Sequence, residues 1–509
     1  MAVARTRRPN LLLIMADQLA ASFLPSYGHR VVKAPALDRL AERGMRFCSA
    51  YTPSPLCAPA RFAMLSGQLC SRIGAYDNAS EFRASIPTFA HHLRAGGYQT
   101  CLVGKMHFVG PDQLHGYESR LTTDIYPADF GWTPNWDEPD ERVDWWYHNL
   151  DSVLQAGVAE ATNQLDYDDE VGFRAVRAIR DLARSSDERP WMLTVSFTHP
   201  HDPYVMRQRY WDRYDHEEID LPRVGPLPDD QLDPHSRRLR HASAVDEVEL
   251  TDAHVRTARH AYYAAISYVD DWVGTLLDTL DACGLSDDTV ILFTADHGDL
   301  LGERGLWYKM SFFEGACRIP LIVAGPGIIS GESPDHVSLV DIHPTLLELA
   351  GIERPYLAPT DGQSLVALLD GERQPERTVL GEYLAEGAVA PIFMIRRGDW
   401  KFVYCAADPP QLYDLAADPD ELVNLAADPQ HADTAAEFEK YVLTRWDPEA
   451  MRAAVIADQH ARRAVDAALR TGRHTSWDHD PGVDAAHQYM RNHLDLNVVE
   501  RSRRLPPPG

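Results

Sequence analysis

The sequence predicts an α/β fold in which a mostly parallel sheet is sandwiched by helices. Short, continuous apolar runs, typical of strands buried on both faces, alternate with helical patterns. Strands that alternate with helices need crossover connections, and crossovers produce parallel strand pairs. At 509 residues the chain exceeds one ordinary core. We therefore expect two or three domains, or one large α/β domain with a smaller one.

The predicted elements follow in chain order. The strands are the apolar runs Asn10–Ala16, Thr100–Gly104, Trp191–Phe197, Thr289–Thr294, Pro320–Ala324 and Thr378–Leu380. The helices are Pro35–Arg43, Pro87–Ala95, Asp168–Ala183, His254–Ala282 and Pro344–Ala350. Pro35 suits the first turn of a helix, because the amide hydrogen that proline lacks has no partner there.

The character of the sequence changes after about residue 375. Phe393–Arg397 and Trp400–Tyr404 alternate around Gly398-Asp399, which indicates a hairpin, and Asp433–Leu469 is alanine-rich, charged and helical in pattern. The chain is predicted to have three parts: an α/β catalytic domain at 1–375, a smaller antiparallel α+β subdomain at 376–475, and an extended tail at 476–509.

Composition narrows the function classes. The chain has 49 Lys and Arg against 76 Asp and Glu, a net charge of −27, which argues against nucleic acid or an anionic membrane as partner. There is no apolar stretch of about 20 residues, the length that a membrane helix needs. The apolar run Leu11–Ala16 is too short for a signal peptide. Seven scattered cysteines do not resemble a disulfide framework, so we predict a cytoplasmic protein.

Chemically versatile side chains follow four predicted strands. The pairs are Asp17 and Gln18, Lys105 and His107, His199 and His201, and Asp296 and His297. In open α/β sheets ligands bind beyond the carboxyl ends of the strands, so these four segments are predicted to converge on one crevice. Carboxylate, amide and imidazole ligands suit a divalent cation. The alternative is that the aspartates only cap the loops or helices that follow.

Cys57 lies in the string Ser54-Pro55-Leu56-Cys57-Ala58-Pro59-Ala60-Arg61. A cysteine in such a string is often just a small buried hydrophobe. The Cys-x-Pro-x-Arg pattern nevertheless resembles the maturation signature of type I sulfatases, members of the alkaline phosphatase superfamily. The resemblance implies an alkaline-phosphatase-like fold over residues ~10–405. It also implies that a formylglycine-generating enzyme oxidises Cys57 to formylglycine, whose hydrate attacks a sulfate ester and becomes sulfated.

Other segments extend the resemblance and imply roles. They are Gly104-Lys105-Met106-His107, the His-x-Pro segment at His201, and the string that begins at Lys309. Fixed cations aimed at the sulfate and leaving oxygens would come from Arg61, Lys105 and Lys309, although Lys and Arg are mostly solvated surface residues. His107 and His201 would transfer protons, since imidazole titrates near neutral pH.

The resemblance also implies the metal ligands. They would be Asp17, Gln18, Cys57 in its oxidised form, Asp296 and His297. The cation is expected to be Ca²⁺, with Mg²⁺ or Mn²⁺ as alternatives. Most members of the family have Asp where this chain has Gln18, and Asn where it has His297.

Longer strings are similar to the choline-sulfatase group of this family, which shares Gln18 and His297. They include GKMHFVGPDQLHGYE at 104–118, LTTDIYPADFGWTP at 121–134, DWWYHN at 144–149, Asp478-His479 and Tyr489–His493. The substrate would be choline-O-sulfate, whose trimethylammonium head must be held by aromatic faces and negative charge. The implied substrate contacts are Asn78, Trp132, His148, Asn149 and Glu386. Trp145–Tyr147 fits either a contact or an aromatic core patch.

Two further expectations concern assembly and alternatives. The tail segment Arg491–Asn497 is expected to complete a neighbour's pocket in a homo-oligomer, a dimer or a tetramer. The same nucleophile, metal and cations also serve an arylsulfatase or a phosphonate or phosphate monoester hydrolase, because fold does not decide substrate. A non-catalytic binding protein would require damage to the core set of residues, and the sequence retains that set.

Overall fold

The computed structural model describes residues 8–142, 148–352, 359–482, 489 and 494–505. Its strands are β1 (Asn10–Asp17), β2 (Met45–Tyr51), β3 (Gln99–Gly104), β4 (Ser119–Arg120), β5 (Gly157–Val158), β6 (Trp191–Pro200), β7 (Val205–Met206), β8 (Thr289–Ala295), β9 (Arg318–Ile319), β10 (Leu321–Ala324), β11 (Gly331–Ser338), β12 (Thr378–Tyr383), β13 (Ile392–Arg397), β14 (Trp400–Cys405) and β15 (Asp408–Asp414).

The helices alternate with these strands through the first two thirds of the chain. They are α1 (Pro35–Arg43), α2 (Cys57–Ser66), α3 (Cys70–Ile73), α4 (Phe89–Ala95), α5 (Asp151–Leu154), α6 (Asn163–Arg184), α7 (Gln208–Trp211), α8 (Pro234–Ala242), α9 (Asp252–Ala282), α10 (Glu314–Cys317), α11 (Ile342–Leu349), α12 (Val366–Leu369), α13 (Ala432–Arg445), α14 (Pro448–Leu469) and α15 (Leu496–Ser502).

The main sheet has the order β11-β2-β10-β8-β1-β6-β3-β4, with β9 paired to β2. The neighbours β8, β1, β6 and β3 are parallel, whereas β10 is antiparallel to both β8 and β2. Strand β1 is central, and all its residues from Leu11 to Asp17 are buried. The predicted α/β class with a mostly parallel sheet is therefore confirmed.

Helices cover this sheet in two groups. Helices α6 and α9 pack on each other and on β6, while α2, α4 and α11 contact one another and α4 lies on β3. Gly172 of α6 permits the close approach to α9, because a Cβ atom there would come within 2.4 Å of the Trp272 ring. Among the described residues, none of the helices has both the length and the apolar character needed to span a bilayer. All seven cysteines are described, and none forms a disulfide.

The C-terminal region contains a four-stranded antiparallel sheet in the order β12-β13-β14-β15. The predicted hairpin is confirmed, since Arg397 pairs with Trp400 across Gly398-Asp399. Two predictions are wrong. Thr378–Leu380 begins β12 of this sheet and does not belong to the parallel one. The predicted helix 433–469 is divided into α13 and α14, because Pro448 starts a new helix that Asp447 caps.

Several elements were missed in the sequence, among them β2, β11, β15, α8 and α15. Strand β2 carries polar residues between its apolar ones, and β11 (Gly331–Ser338) is largely polar, so neither contains a continuous apolar run. The tail contains the short helix α15, which Asp495 caps. The division of the chain at residues 375 and 475 stays a prediction.

Candidate functional site

The four strand ends meet at one edge of the sheet. Asp17 ends β1, Asp296 follows β8, Lys105 follows β3, and His201 follows β6. Because β8, β1, β6 and β3 are adjacent and parallel, their carboxyl ends lie side by side. The side chains named here are all buried. The topology thus brings together segments that are far apart in the chain.

A compact donor cluster occupies this edge. Asp17, Cys57, Asp296 and His297 each offer one ligand atom, and these atoms all lie within 4.8 Å of one another. Cys57 Sγ is 3.2 Å from His297 Nε2 and 3.9 Å from Asp17 Oδ1. His297 Nδ1 donates to the carbonyl of Gly298 at 3.0 Å, so Nε2, which faces Cys57 Sγ, carries the lone pair that could bind a metal.

This donor set fits a divalent cation. Two buried carboxylates and a neutral imidazole provide charge and ligand atoms, and burial lowers the pKa of His297 to about 4, which keeps the ring neutral. The Sγ atom of Cys57 stands where an oxygen on the same carbon would lie after oxidation. Replacing this sulfur by oxygen gives the cluster a larger share of oxygen ligands.

The side-chain amide of Gln18 makes three hydrogen bonds. Its Nε2 donates to Asp299 Oδ2 at 2.7 Å and to Asp202 Oδ1 at 3.1 Å, and its Oε1 accepts from Lys309 Nζ at 2.5 Å. The backbone of Gln18 has a φ of +61°, in the left-handed region that large side chains seldom adopt. The structure thus gives the amide a hydrogen-bonding role beside the donor cluster, and its predicted role as a metal ligand stays a prediction.

Arg61 fixes the two carboxylates. Its Nε donates to Asp296 Oδ2 at 2.8 Å and its Nη2 to Asp17 Oδ2 at 3.0 Å. Its Nη1 donates to the Lys105 carbonyl at 2.7 Å and to Ser196 Oγ at 2.9 Å. A fully buried guanidinium with this many partners orients the carboxylates and balances their charge.

Lys105 adds a second cation at the same place. Its Nζ forms an ion pair with Asp17 and lies 4.2 Å from the centre of the Tyr126 ring. Burial alone would raise the pKa of the Asp17 carboxyl, but Lys105 and Arg61 hold that pKa well below its usual range. Asp17 is therefore an anion between two cations.

Cys57 begins α2, and every residue of that helix is buried. Burial, with Asp17 as the nearest anion, raises the pKa of the thiol to about 12. A thiol with this pKa stays protonated near neutral pH and is a poor nucleophile. In the first turn of α2 the Ala58 amide donates to Asn78 Oδ1 and the Ala60 amide donates to the Leu56 carbonyl, while Pro59 has no amide hydrogen, so these positions offer no free donor to an anion.

The two predicted proton-transfer histidines are both neutral. Burial, reinforced by Lys105, lowers the pKa of His107 to about 3. Burial and Lys309 also lower the pKa of His201 well below its usual value. His201 Nδ1 lies 2.6 Å from the Asp202 carbonyl, so it donates there, and Nε2 accepts from Lys309 Nζ at 2.9 Å. The mobile proton of this pair therefore belongs to Lys309.

Lys309 is fully buried, although its segment alone gave no strong sign of this. The residues on either side, Tyr308 and Met310, both have left-handed backbones, with φ of +66° and +69°. Such a conformation is unfavourable for large side chains and persists where other contacts fix the chain. Here the amide of Met310 donates to the carbonyl of Pro55 at 3.1 Å, which ties the Lys309 loop to the Cys57 loop.

A small cavity opens beside Cys57. Its lining consists of Cys57, Asn78, Tyr126, Trp132, His148, His201 and Glu386. The Tyr126 and Trp132 ring centres are 5.0 Å apart, and His148 Nδ1 is 4.0 Å from Glu386 Oε1. The lining thus combines Cys57 and His201 with aromatic faces and one carboxyl group. Two cations lie directly behind it, Lys105 against the Tyr126 ring and Lys309 against His201.

The substrate contacts predicted from the sequence are only partly in this cavity. Asn78 lines it and also accepts a hydrogen bond from the amide of Ala58 at 3.0 Å, at the start of α2. Asn149 does not line it, because its Oδ1 accepts from the Asp151 amide at 2.9 Å. Trp145–Tyr147 and Arg491–His493 lie outside the described residues.

Three residues of the site were missed in the sequence. Tyr126 lies in the cavity wall, inside the string LTTDIYPADFGWTP that was already singled out. Asp202 and Asp299 bind the Gln18 amide, and burial raises the pKa of Asp202 to about 7 and of Asp299 to about 6. Asp202 follows His201, and Asp299 lies two residues after His297, so their positions just beyond two strand ends could have indicated a role in the site.

Family models match most of the chain. Residues 9–352 match the model described as Sulfatase, residues 302–446 the model for the N-sulphoglucosamine sulphohydrolase C-terminal region, and residues 453–505 the model described as Choline sulfatase enzyme C terminal.

Individual relatives agree with these matches. The choline-sulfatase of Rhizobium meliloti (strain 1021) is 53% identical over 508 residues, covering 98% of this chain and 99% of that protein. Arylsulfatase K of Danio rerio is 30% identical over 443 residues, covering 80% and 78%. The crystal structure of the phosphonate monoester hydrolase of Agrobacterium radiobacter superimposes with a TM-score of 0.68 at 26% identity, covering 88% of this chain and 96% of that one.

Proposed function

This chain belongs to the sulfatase family, and from that premise we propose that it hydrolyses choline-O-sulfate to choline and sulfate. The observation that carries the proposal is the mixed lining of the cavity. Cys57 and His201, the partner of Lys309, line it together with Trp132, His148 and Glu386. We assign the sulfate group to the end at Cys57 and His201 and the ammonium head to the end at Trp132 and Glu386. A trimethylammonium group has no hydrogen to donate, so aromatic faces and a carboxylate are the groups that recognise it.

Conversion of Cys57 by a formylglycine-generating enzyme is the first requirement of this proposal. Formylglycine would supply, as its hydrate, the oxygen nucleophile that the high-pKa thiol cannot provide. Asp17, Asp296 and His297, with the oxidised residue 57, would hold one divalent cation, which would polarise the sulfate oxygens. Ca²⁺ is the first choice for an oxygen-rich set, and Mg²⁺ and Mn²⁺ are the alternatives.

The protein's own residues divide the remaining work. Lys105 and Arg61 are fixed cations whose charge offsets that of the sulfate oxygens, and their positions are set before substrate arrives. Lys309 holds a proton beside His201 Nε2, and we assign this pair to the leaving alkoxide. His107 is neutral at neutral pH and is assigned as the base that takes a proton from the nucleophile side.

Recognition of the substrate head belongs to the other end of the cavity. Trp132 and Tyr126 present ring surfaces. Glu386 presents a carboxyl group that changes from neutral to anionic around neutral pH, because burial raises its pKa to about 7. Asn78 and His148 complete that end. Asn149 does not line the cavity, and we propose it as a substrate contact only because it is next to His148 in the same loop.

The proposal includes a cytoplasmic homo-oligomer, either a dimer or a tetramer. Support comes from the tail, where Leu494, Leu496 and Val498 are more than half exposed. Apolar residues in such a position are suited to burial against a second copy. The net charge of −27 also disfavours nucleic acid or an anionic membrane as a partner.

The decisive experiment compares three sulfate esters on the matured enzyme. They are choline-O-sulfate, its neutral carbon isostere 3,3-dimethylbutyl sulfate, and 4-nitrophenyl sulfate. We expect kcat/KM for choline sulfate to exceed that for the isostere by at least about tenfold, the scale of a desolvated cation–aromatic contact with a carboxylate. Glu386→Gln should remove most of that difference and spare the aryl ester.

The same experiment separates the alternative functions. Equal activity on choline sulfate and the isostere, with a preference for the aryl ester, would instead support an arylsulfatase. Preference for a phosphonate or phosphate monoester would support the hydrolase class of the Agrobacterium radiobacter structure.

A further inference from the structure

We propose that Arg462 of α14 is a positioning residue that holds the walls of the ammonium end of the cavity. The inference deepens the proposed function and rests on it. Among the described residues, Arg462 forms no hydrogen bond with a residue that lines the cavity. It would therefore influence substrate binding through Asp77 and Thr133, which are next to Asn78 and Trp132 in the chain.

The first link is the ion pair between Arg462 and Asp77. Nη1 donates to Asp77 Oδ1 at 2.7 Å, and Nη2 donates to Asp77 Oδ2 at 2.6 Å. Both side chains are buried, and the parallel two-bond geometry fixes direction as well as distance. Asp77 is followed by Asn78, and its Oδ1 also accepts from the amide of Ala79 at 2.9 Å. The guanidinium therefore fixes the backbone on both sides of Asn78.

The second link runs to the tryptophan wall. Arg462 Nη1 also donates to Thr133 Oγ1 at 3.1 Å. The Thr133 hydroxyl in turn donates to the Phe130 carbonyl at 2.8 Å, which closes the turn that carries Trp132. The same guanidinium nitrogen thus contacts the wall of Asn78 and the wall of Trp132.

The third link begins one turn earlier on the same helix, at Gln459. Its buried side chain accepts a hydrogen bond from the Trp136 amide at 2.9 Å. The Trp136 indole then donates to the carbonyl of Ala385 at 3.0 Å. Ala385 precedes Glu386, so α14 is connected to the carboxyl wall as well.

Charge reinforces this assignment. Asp77 is fully buried and forms an ion pair with Arg462. The remaining nitrogen of the guanidinium, Arg462 Nε, donates to Asp458 Oδ2 at 2.7 Å. Without the guanidinium, Asp77 would be an uncompensated buried anion. Its charge also acts on Glu386, whose carboxyl must ionise to attract the substrate. Arg462 and Gln459 both lie within residues 453–505, the segment that matches the choline sulfatase C-terminal model.

The test uses Arg462→Met, Arg462→Lys and Gln459→Met, with the exposed neighbour Arg463→Met as the matched control. Lysine keeps the charge but cannot make the forked contact. We expect the preference for choline sulfate over 3,3-dimethylbutyl sulfate to fall by about tenfold in Arg462→Met and by less in Arg462→Lys, since small displacements of a positioned group cost about that much. Hydrolysis of 4-nitrophenyl sulfate should change by less than about twofold, and Arg463→Met should match the parent.

The outcomes are distinguishable. An equal loss on all three esters, or an unchanged preference, would overturn the inference while leaving the substrate assignment intact. If the parent enzyme itself does not prefer choline sulfate, the proposed function fails first. Should Arg462→Met not fold, Arg462→Lys and Gln459→Met still decide the question, because each removes a link to a wall and keeps the buried charge pair.

Discussion

At the residue scale, the contacts of Lys309 define what its proton can do. Its Nζ lies between His201 Nε2 and Gln18 Oε1 and donates to both. Choline is a poor leaving group that needs a proton as the ester bond breaks, whereas 4-nitrophenolate does not. The contribution of Lys309 to kcat/KM should therefore depend on the leaving group of the ester.

We predict that Lys309→Met lowers kcat/KM for choline sulfate by about 10²-fold or more, the usual range for loss of a general acid. The loss for 4-nitrophenyl sulfate should be at least about tenfold smaller, since that leaving group needs little proton transfer. Steady-state kinetics on the two esters measures this, with the exposed Lys440→Met as control. Equal losses on both esters would mean that Lys309 acts on the sulfate group or on folding.

Glu386 gives a second prediction, which concerns pH. Burial, with Asp77 as a nearby anion, raises the pKa of the Glu386 carboxyl to about 7. Below that pH the carboxyl is neutral and loses its attraction for a cation, and above it the carboxylate is present. The ratio of kcat/KM for choline sulfate to that for 3,3-dimethylbutyl sulfate should therefore rise with pH through about 7 and then level off.

Taking this ratio removes the titrations that both esters share, such as those of the catalytic groups. Glu386→Gln should give a low ratio that does not change between about pH 5.5 and pH 8.5, because the carboxyl group is gone and burial lowers the pKa of the neighbouring His148 well below its usual value. A ratio that stays high in acid would show that the aromatic rings, and not the carboxylate, select the cation.

At the element scale, α8 links the two ends of the cavity. His235 Nε2 lies 2.7 Å from the carbonyl of Met310, next to Lys309, and its Nδ1 lies 3.2 Å from the carbonyl of Gly387, next to Glu386. A neutral imidazole has one N–H, and burial lowers the pKa of His235. The N–H is therefore assigned to Nε2, which makes the shorter contact and donates to the Met310 carbonyl. The Gly387 carbonyl accepts instead from Arg238 Nε at 3.1 Å.

We predict that His235→Phe lowers kcat for choline sulfate by about tenfold, because the Lys309 loop loses a hydrogen bond that fixes its left-handed backbone. Hydrolysis of 4-nitrophenyl sulfate should fall by less than about threefold. His235→Gln keeps a donor and should recover most of the loss. Failure of glutamine to rescue, with a lower melting temperature in both variants, would assign His235 to stability alone.

The element scale also explains which parts of the site the sequence could predict. Strand ends were predictable, because buried parallel strands give apolar runs and their following residues must lie at one edge, as Asp17 and Asp296 do. The hydrogen bonds of the Gln18 amide were not, because their partners Asp202 and Asp299 arrive from other strands. Strand β11 was missed because its burial comes from neighbours and not from its own polar sequence.

At the scale of the whole molecule, Arg462 and Cys57 show what sequence patterns cannot express. The pattern around Cys57 was readable because its residues are close in the chain. The bond from Arg462 to Asp77 joins positions 385 residues apart, and nothing in the α14 sequence distinguishes buried Arg462 from exposed Arg463 except helical phase. Long-range pairs of this kind become visible only when the fold has placed the helix.

The burial of Cys57 leads to a last prediction about the order of folding and maturation. Cys57 begins α2, a helix that is buried along its whole length, and the loop just before it is tied to the Lys309 loop by the hydrogen bond from the Met310 amide to the Pro55 carbonyl. An enzyme that must reach the Cys57 side chain cannot do so in the folded protein without opening this core, which costs a large part of the folding free energy. Conversion should therefore take place before the chain folds.

This is tested by offering the maturation enzyme three substrates and measuring conversion by mass spectrometry. They are the folded protein with an unmodified Cys57, the same protein held in denaturant that the maturation enzyme tolerates, and a peptide spanning residues 50–70. We expect the peptide and the opened chain to be converted and the folded protein to remain a thiol, inactive toward every ester and equal to Cys57→Ala. Rapid conversion of the folded protein would mean that α2 and its covering loops open readily, and the site would then be assembled late, by local closure over a nucleophile already in place.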